Sequence, residues 1–256
     1  MRTIPKIIHY CWFGGKEKPK DVEIYIKTWE KNMPDYSLME WSEQNFSINN
    51  APLYVQEAYK AGKFAFVSDY ARIMALYKFG GIYFDTDIEV LQSFEDYLEG
   101  HSMVLGFESE RLLMTAFIAS EKEHPFLKEF EETYQNRHFI HQDGSYDLST
   151  INDHFSSQAE CWGVDLGCNE EQILKGNIRI YPSEVFCGFD VKKWHVRTTA
   201  KTCTVHHMAS SWVTSKKKLY FGIIIALQKL LGFERYDQLK NFYDRLKSRI
   251  WRKIDC

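Results

Sequence analysis

Among six cysteines (Cys11, Cys161, Cys168, Cys187, Cys203 and Cys256) the 256-residue sequence has no CxxC pair and no regular spacing. That argues against a zinc knuckle and a disulfide framework, and leaves mostly buried, reduced thiols as the expectation. There is no internal repeat and no low-complexity linker. The opening "MRTIPKIIHYCWFGG" has no long apolar stretch behind basic residues and no small-residue cleavage site, so no secretory leader is predicted and a cytoplasmic location is expected. Long apolar runs are also missing. The core of "SKKKLYFGIIIALQKLLGF" is broken by Gln228 and Lys229 and falls short of the ~20 residues that span a bilayer.

What is present is a substantial core. A chain that is 45% hydrophobic and 16% aromatic can fold as one large domain, with or without an appendage. Charge is unevenly placed. From Val213 onward eleven Lys and Arg face four Asp and Glu, a charge of +7, which leaves −10 on the first 212 residues of a chain whose net charge is −3. An acidic body predicts no nucleic-acid partner; the basic tail alone would hold a phosphate backbone weakly.

Along the chain, "TIPKIIHYCWF" reads as a buried opening strand ended by Gly14 and Gly15, a place where a ligand can approach the backbone. "DVEIYIKTWEKN" spaces Val22, Tyr25, Ile26 and Trp29 at helical intervals, with Asp21 as a candidate cap, and "YSLMEW" follows as a strand. "PLYVQEAYKAG" predicts a helix ending at Gly62. "SDYARIMALYKFGG" predicts another, capped by Ser68 and stopped by Gly80. "SMVLGFES", "LLMTAFIAS" and "IRIYPSEVF" read as strands and "HPFLKEFEETYQN" as a helix. Such alternation predicts an α/β fold with a mostly parallel central sheet.

In such sheets ligands bind beyond the carboxyl ends of the strands. There "GGIYFDTDIEV" ends an apolar strand in two carboxylates, Asp85 and Asp87. Two carboxylates one residue apart suit Mg²⁺ or Mn²⁺ and, through the cation, a substrate phosphate; without a cation they repel. An isolated DxD is more often an ordinary acidic turn. This one stands in the company of "IPKIIHYCWFGG", "FAFVSDYARIMALYKFGGIYFDTDIEV" and "HHMASSW".

Together these three blocks closely resemble family 32 of the glycosyltransferases, over roughly residues 3 to 212. That family includes bacterial capsule and lipopolysaccharide sugar transferases and yeast Golgi mannosyltransferases, and it is distantly similar to the glucosylating domains of large bacterial toxins. The resemblance implies a GT-A fold, a nucleotide-sugar donor, a divalent metal and transfer with retention. It places Trp12 against the nucleotide base, with Tyr10 and Gly14 beside the donor; a core tryptophan is the competing reading. Asp69 and Arg72, on one helical face, look like the sugar-contacting pair, the alternative being a surface ion pair near the helix start. Tyr83 corresponds to a donor-contacting aromatic. Asp85 would contact the ribose and the metal, and Asp87 would ligate the metal directly. In "HHMASSW" His207 is the favoured last metal ligand and His206 the competitor, since strand alternation aims the two rings oppositely. Ser210 is placed near metal or phosphate and Trp212 near the leaving diphosphate; many relatives have glycine where Ser210 stands.

No residue declares itself as the nucleophile that retaining glycosidases use, and Asp165, Glu184 and Asp190 are unranked acceptor-side candidates. The predicted enzyme takes a hexose or N-acetylhexosamine from a UDP-sugar (galactose, glucose or their N-acetyl forms), with GDP-mannose behind. Residues 1–212 form the expected catalytic domain and 213–256 a basic amphipathic tail. The tail is expected on the inner face of the plasma membrane, which would suit a lipid-linked oligosaccharide acceptor; the alternative is docking on the domain or on another copy of the chain. Two rival classes are a non-catalytic sugar- or nucleotide-binding module and a phosphatase of the haloacid dehalogenase type. The latter expects Thr or Val where Glu89 stands.

Overall fold

The computed structural model describes residues 4–191 and 194–209, with short pieces at 226–227, 230–232 and 235–236. Residues 1–190 with 196–209 form one compact unit and 191–195 with 210–256 a second. The expected amphipathic tail, and with it Ser210 and Trp212, falls outside the described residues apart from those short pieces. Among the described residues no helix is long and apolar enough to cross a membrane.

In chain order the elements are β1 (Ile7–Cys11), α1 (Lys20–Asn32), β2 (Ser37–Trp41), α2 (Leu53–Lys60), α3 (Phe64–Phe79), β3 (Gly81–Phe84), β4 (Ile88–Val90), α4 (Glu95–Leu98), β5 (Met103–Ser109), β6 (Leu112–Leu113), β7 (Phe117–Ser120), α5 (Pro125–Glu132), α6 (Ile151–Cys161), β8 (Gln172–Leu174), β9 (Ile178–Tyr181), α7 (Ser183–Phe186), β10 (Phe189–Asp190), β11 (His195–Val196) and β12 (Thr204–His206). The main sheet runs β2-β1-β3-β7-β5-β9-β8, with β6 paired to β5. β2, β1, β3, β5 and β9 point the same way while β7 and β8 oppose them. The chain is therefore α/β with a mostly parallel central sheet.

Period-2 alternation builds two cores on the two faces of this sheet. Tyr83, Met103, Leu105 and Phe107 pack with Tyr54, Ile73, Leu76, Phe126 and Phe155 from α2, α3, α5 and α6. Ile8, Ile82, Phe84 and Val104 pack on the other side with Trp29, Leu98 and Phe186 from α1, α4 and α7. The result is a three-layer sandwich, and the carboxyl ends of β1, β3 and β5 share one edge.

Local chemistry corrects some helix starts. The helix expected to begin at Ser68 begins a turn earlier at Phe64, and Ser68 Oγ instead donates to the Phe64 carbonyl at 3.1 Å from inside the helix. The apolar "FAF" is drawn into the helix because both of its faces are buried; nine of the sixteen residues, including Phe66, Val67 and Ala71, are covered. Asp21 is likewise no cap. Pro19 precedes the helix and Asp21 lies in the first turn, where its charge suits the macrodipole. "LLMTAFIAS" is split, β6 and β7 being separated by Met114–Ala116. α6 answers to no reading of the sequence given above. Its Thr150 cap was legible; its polar-rich "INDHFSSQAEC" carried too weak an apolar stripe.

The "FGG" between α3 and β3 is a backbone requirement. Gly80 ends the helix at φ +66°, and Gly81, at φ +106°, lies so close to β1 that a Cβ there would sit 2.5 Å from the Ile7 carbonyl oxygen. Gly81→Ala is expected to lower stability by about 2 kcal/mol or more, read as a fall in denaturation midpoint at unchanged slope. The same crossing is pinned by His9, fully buried, whose Nε2 lies 2.8 Å from the Gly80 carbonyl while Nδ1 accepts from Trp41 Nε1 at 3.2 Å.

A second buried histidine makes the fold acid-sensitive. His124 caps α5, Nδ1 accepting the Phe126 N–H at 3.2 Å and Nε2 facing Ser102 Oγ at 3.3 Å, so only the neutral ring fits. Burial pushes it down to about 4. A base whose folded pKa is depressed gives stability above its unfolded value near 6.5 and loses it as pH falls toward 4. Between pH 7.5 and 5 the loss is about 2 kcal/mol, roughly 4–8 °C in Tm. His124→Asn, which keeps a capping side chain, is expected to flatten that pH dependence.

Candidate active site

One arginine organises the edge of the sheet where β1, β3 and β5 end. Arg72 of α3 is 4% exposed, and its guanidinium has a partner in every direction. Its Nη2 donates to Asp69 Oδ1 at 2.7 Å and lies 3.3 Å from Asp85 Oδ1. Nη1 donates to the Thr115 carbonyl at 2.9 Å and approaches Thr115 Oγ1 at 3.2 Å, and the group stacks 4.7 Å over the Tyr83 ring. Burial raises the Asp69 carboxyl to about 6 against the pull of Arg72, which keeps the carboxylate ionised at neutral pH. Burial opposes the charge of Arg72 too, but Asp85 and Asp69 outweigh it and hold the guanidinium charged.

The DTD stretch is a tight turn between β3 and β4. The Asp85 N–H donates to the Ala116 carbonyl at 2.9 Å and the Ile88 N–H to the Asp85 carbonyl at 3.1 Å. β4 hangs on α1 through Trp29 Nε1 to the Ile88 carbonyl (2.7 Å) and Asn32 Nδ2 to the Val90 carbonyl (2.8 Å). It pairs antiparallel with β12, Ile88 opposite His206. That pairing brings the far histidine to the carboxylates. His206 Nε2 lies 3.4 Å from Asp87 Oδ1, while Asp87 Oδ2 accepts the Ala209 N–H at 2.7 Å. Burial would raise Asp87, but His206 and the Ala209 N–H take it down to about 2; the converse pull of Asp87 and Glu108 lifts buried His206 to about 9.

Ligand atoms of Asp85, Asp87 and His206 all lie within 4.8 Å of one another. Two hard oxygens and one imidazole nitrogen suit Mg²⁺ or Mn²⁺. The donor set fits a cation for a further reason. The Ala209 N–H fixes one Asp87 oxygen and leaves the other aimed at the imidazole, so the converging groups are oriented by the fold.

His207, favoured by sequence, is turned away. Its Nε2 pairs with Glu89 Oε2 at 2.8 Å and its ring stacks on Tyr25 at 4.6 Å, because successive residues at the end of β12 face opposite sides. Tyr10, expected beside the donor, gives its hydroxyl to Glu40 at 2.8 Å and packs edge-on against Trp29 in the α1 core. Gly14 has two local reasons to be glycine, a φ of +93° and the neighbouring Phe64 ring. Its N–H is taken by Glu43 Oε1 at 2.7 Å, and a Cβ there would lie 2.4 Å from the Phe64 ring. Tyr83 is 1% exposed and donates to Asp85 Oδ1 at 2.9 Å, so it supports the carboxylate from beneath. Trp12 is partly exposed, with Nε1 donating to the Lys16 carbonyl at 2.6 Å. Asp165 caps a turn at Gly167, and half-buried Glu184 pairs with Lys201 at 3.7 Å.

Residues 19–105 match the model of the glycosyltransferase sugar-binding region containing a DXD motif. Over this stretch the chain is similar to the DXD-containing glycosyltransferases. Asp69, Arg72, Tyr83, Asp85 and Asp87 all fall inside the matched region. Lactosylceramide 4-alpha-galactosyltransferase of Rattus norvegicus is 46% identical over 61 residues, 24% of this chain and 16% of that protein. The Homo sapiens protein of the same name is 39% identical over 80 residues, 30% of this chain and 22% of that protein. The chain thus spans about a fifth of the length of these curated relatives. Among solved structures, the PaToxG glycosyltransferase aligns over 62% of this chain and 69% of its own at 20% identity, with TM-score 0.48. The galactosyltransferase LgtC, solved with donor and acceptor sugar analogs, aligns over 91% and 94% at 12% identity, with TM-score 0.45.

Beyond the matched region the candidate site gains three residues that the sequence did not single out. Thr115 accepts from Arg72, its hydroxyl donates to Asn152 Oδ1, and Asn152 Nδ2 donates to Glu108 Oε2 at 2.9 Å. Glu108 was findable. It stands one residue before the end of the strand "MVLGFES", much as Asp85 directly follows "GIYF", so both carboxylates emerge at the carboxyl edge of the sheet.

Proposed function

We propose that the chain is a metal-dependent glycosyltransferase that takes a hexosyl or N-acetylhexosaminyl group from a nucleotide sugar and transfers it, with retention, to a lipid-linked oligosaccharide of a bacterial surface polysaccharide. One observation carries this reading: Asp85, Asp87 and His206 converge at the carboxyl edge of the sheet, one ion pair away from the buried Arg72–Asp69 unit. Asp87 and His206 would hold a divalent cation, with Asp85 alongside. When bound, that cation neutralises the donor diphosphate and the departing nucleotide.

The chain's own residues supply the rest. Arg72, already saturated by protein partners, fixes Asp69 and Asp85 rather than reaching for the sugar. Asp69, whose side chain is 13% exposed, offers its free oxygen to donor hydroxyls. Trp12, at the end of β1, gives an indole face for the base. With no carboxylate assigned as nucleophile, attack on the donor's own leaving face follows, the departing phosphate taking the acceptor proton. Similarity to galactosyltransferases of mammals supports a galactose donor, UDP-galactose among the UDP-sugars, as the first to try. The +7 tail supports residence at an anionic membrane surface.

The test is hydrolysis of a panel of UDP- and GDP-sugars by the full chain, with Mn²⁺ or with chelator. Turnover of one donor only when metal is present supports the reading. No hydrolysis and no metal-dependent nucleotide binding would return the site to the binding-module class.

A further inference from the structure

The imidazole of His206 lies between two carboxylates. Nε2 faces Asp87 Oδ1 at 3.4 Å and Nδ1 faces Glu108 Oε2 at 3.8 Å, and the buried Nδ1 has no hydrogen-bond partner. A neutral imidazole ligates a cation only through the nitrogen that lacks the proton, so the other nitrogen must carry it and needs an acceptor. An ionised carboxylate is acceptor-only. Glu108 stands on the side of Nδ1, and a small rotation of the ring closes the 3.8 Å gap. We propose that Glu108 is a positioning residue that holds His206 with its proton on Nδ1 and its Nε2 lone pair aimed at the Asp85–Asp87 cluster. This rests on the metal reading of that cluster.

Glu108 is itself held in place. Its side chain is 13% exposed, and Oε2 receives Asn152 Nδ2 at 2.9 Å. Asn152 Oδ1 takes the Thr115 hydroxyl, and Thr115 receives Arg72 Nη1 through both its carbonyl and Oγ1. One run of hydrogen bonds therefore joins the Asp69–Arg72 pair to Glu108, through the strand-to-strand link at Thr115 and Asn152 of α6, and Glu108 faces the His206 ring across 3.8 Å. A polar residue at 108 kept only for packing would need a partner for Asn152 and nothing more. A carboxylate 3.8 Å from an unpartnered buried ring nitrogen goes beyond that need.

Mn²⁺ uptake by the full chain, followed by the electron paramagnetic resonance of free Mn²⁺ with saturating UDP, tests this. Glu108→Ala and Glu108→Gln are each expected to weaken Mn²⁺ binding by about 10–100-fold. Gln keeps the volume and an acceptor for Asn152, and carries the test if the Ala variant folds poorly. With Mg²⁺ and UDP, the ¹⁵N resonances of His206 should show an Nδ1–H ring in the parent and lose that pattern in Glu108→Gln, a change packing alone would not cause. Mn²⁺ affinity in Glu108→Gln within about twofold of the parent, with an unchanged ¹⁵N pattern, overturns the proposal. If parent and His206→Ala alike take up no Mn²⁺, the metal reading itself falls and this inference with it.

Discussion

Asp87→Ala is expected to abolish metal-dependent donor hydrolysis, a loss of about 10³-fold or more, because several kcal/mol of charge stabilisation at the leaving diphosphate go with the ligand. The fold should survive. The turn is held by backbone bonds that need no side chain, from the Ile88 N–H to Asp85 and from the His207 N–H to the Asp87 carbonyl at 3.0 Å. Hydrolysis rate and Tm measured together check this: lost turnover with a Tm close to that of the parent is the predicted pair. Full activity in Asp87→Ala would remove the carboxylate from the chemistry. His207→Ala is the matched control. Its ring belongs to Glu89 and Tyr25, so Mn²⁺ affinity should stay within about twofold, the scale of an ordinary surface substitution.

Arg72→Ala should be the most damaging single change to both fold and activity. The guanidinium is the shared partner of Asp69, Asp85 and Thr115, with a side chain 5% exposed. Removing it leaves buried carboxylates uncompensated, at about 3–5 kcal/mol, or roughly 6–20 °C in Tm for a chain of this size. Lysine is no substitute, because one ammonium cannot present a planar fork to two carboxylates and a carbonyl at once. Thermal unfolding of Arg72→Ala, Asp69→Asn and the double variant checks the coupling. The double variant is expected to be less destabilised than the sum of the single ones, since neutral Asn needs no counterion. Additivity would mean that the two side chains do not act as a unit.

Much of this was legible because the relevant signals are local. The GG-strand-DTD order fixes where a buried strand must end and where its carboxylates emerge, and the three-residue spacing of Asp69 and Arg72 fixes a shared helical face. What was not legible depends on long-range pairing. Whether His206 or His207 meets Asp87 is decided by the register of β12 on β4, with Ile88 opposite His206, and no spacing within "HHMASSW" contains that information. Tyr10 and Tyr83 sit on opposite faces of adjacent strands, so their aromatic character said nothing about which one underlies the site. Gly14 invited a ligand reading because the approach of Phe64, fifty residues later, is a tertiary fact. Asn152 belongs to a helix whose weak apolar stripe hid it, and its role appears only once Thr115 and Glu108 are placed beside it.

Crystals of the chain grown with Mn²⁺ and UDP, with anomalous data collected at the manganese edge, would locate the cation relative to the DTD turn. One peak is expected, bounded by the Asp87 carboxylate and His206 Nε2, with Asp85 beside it and the diphosphate oxygens completing the shell. A peak between His207 and Glu89, or nucleotide bound with no metal at the DTD turn, would contradict it.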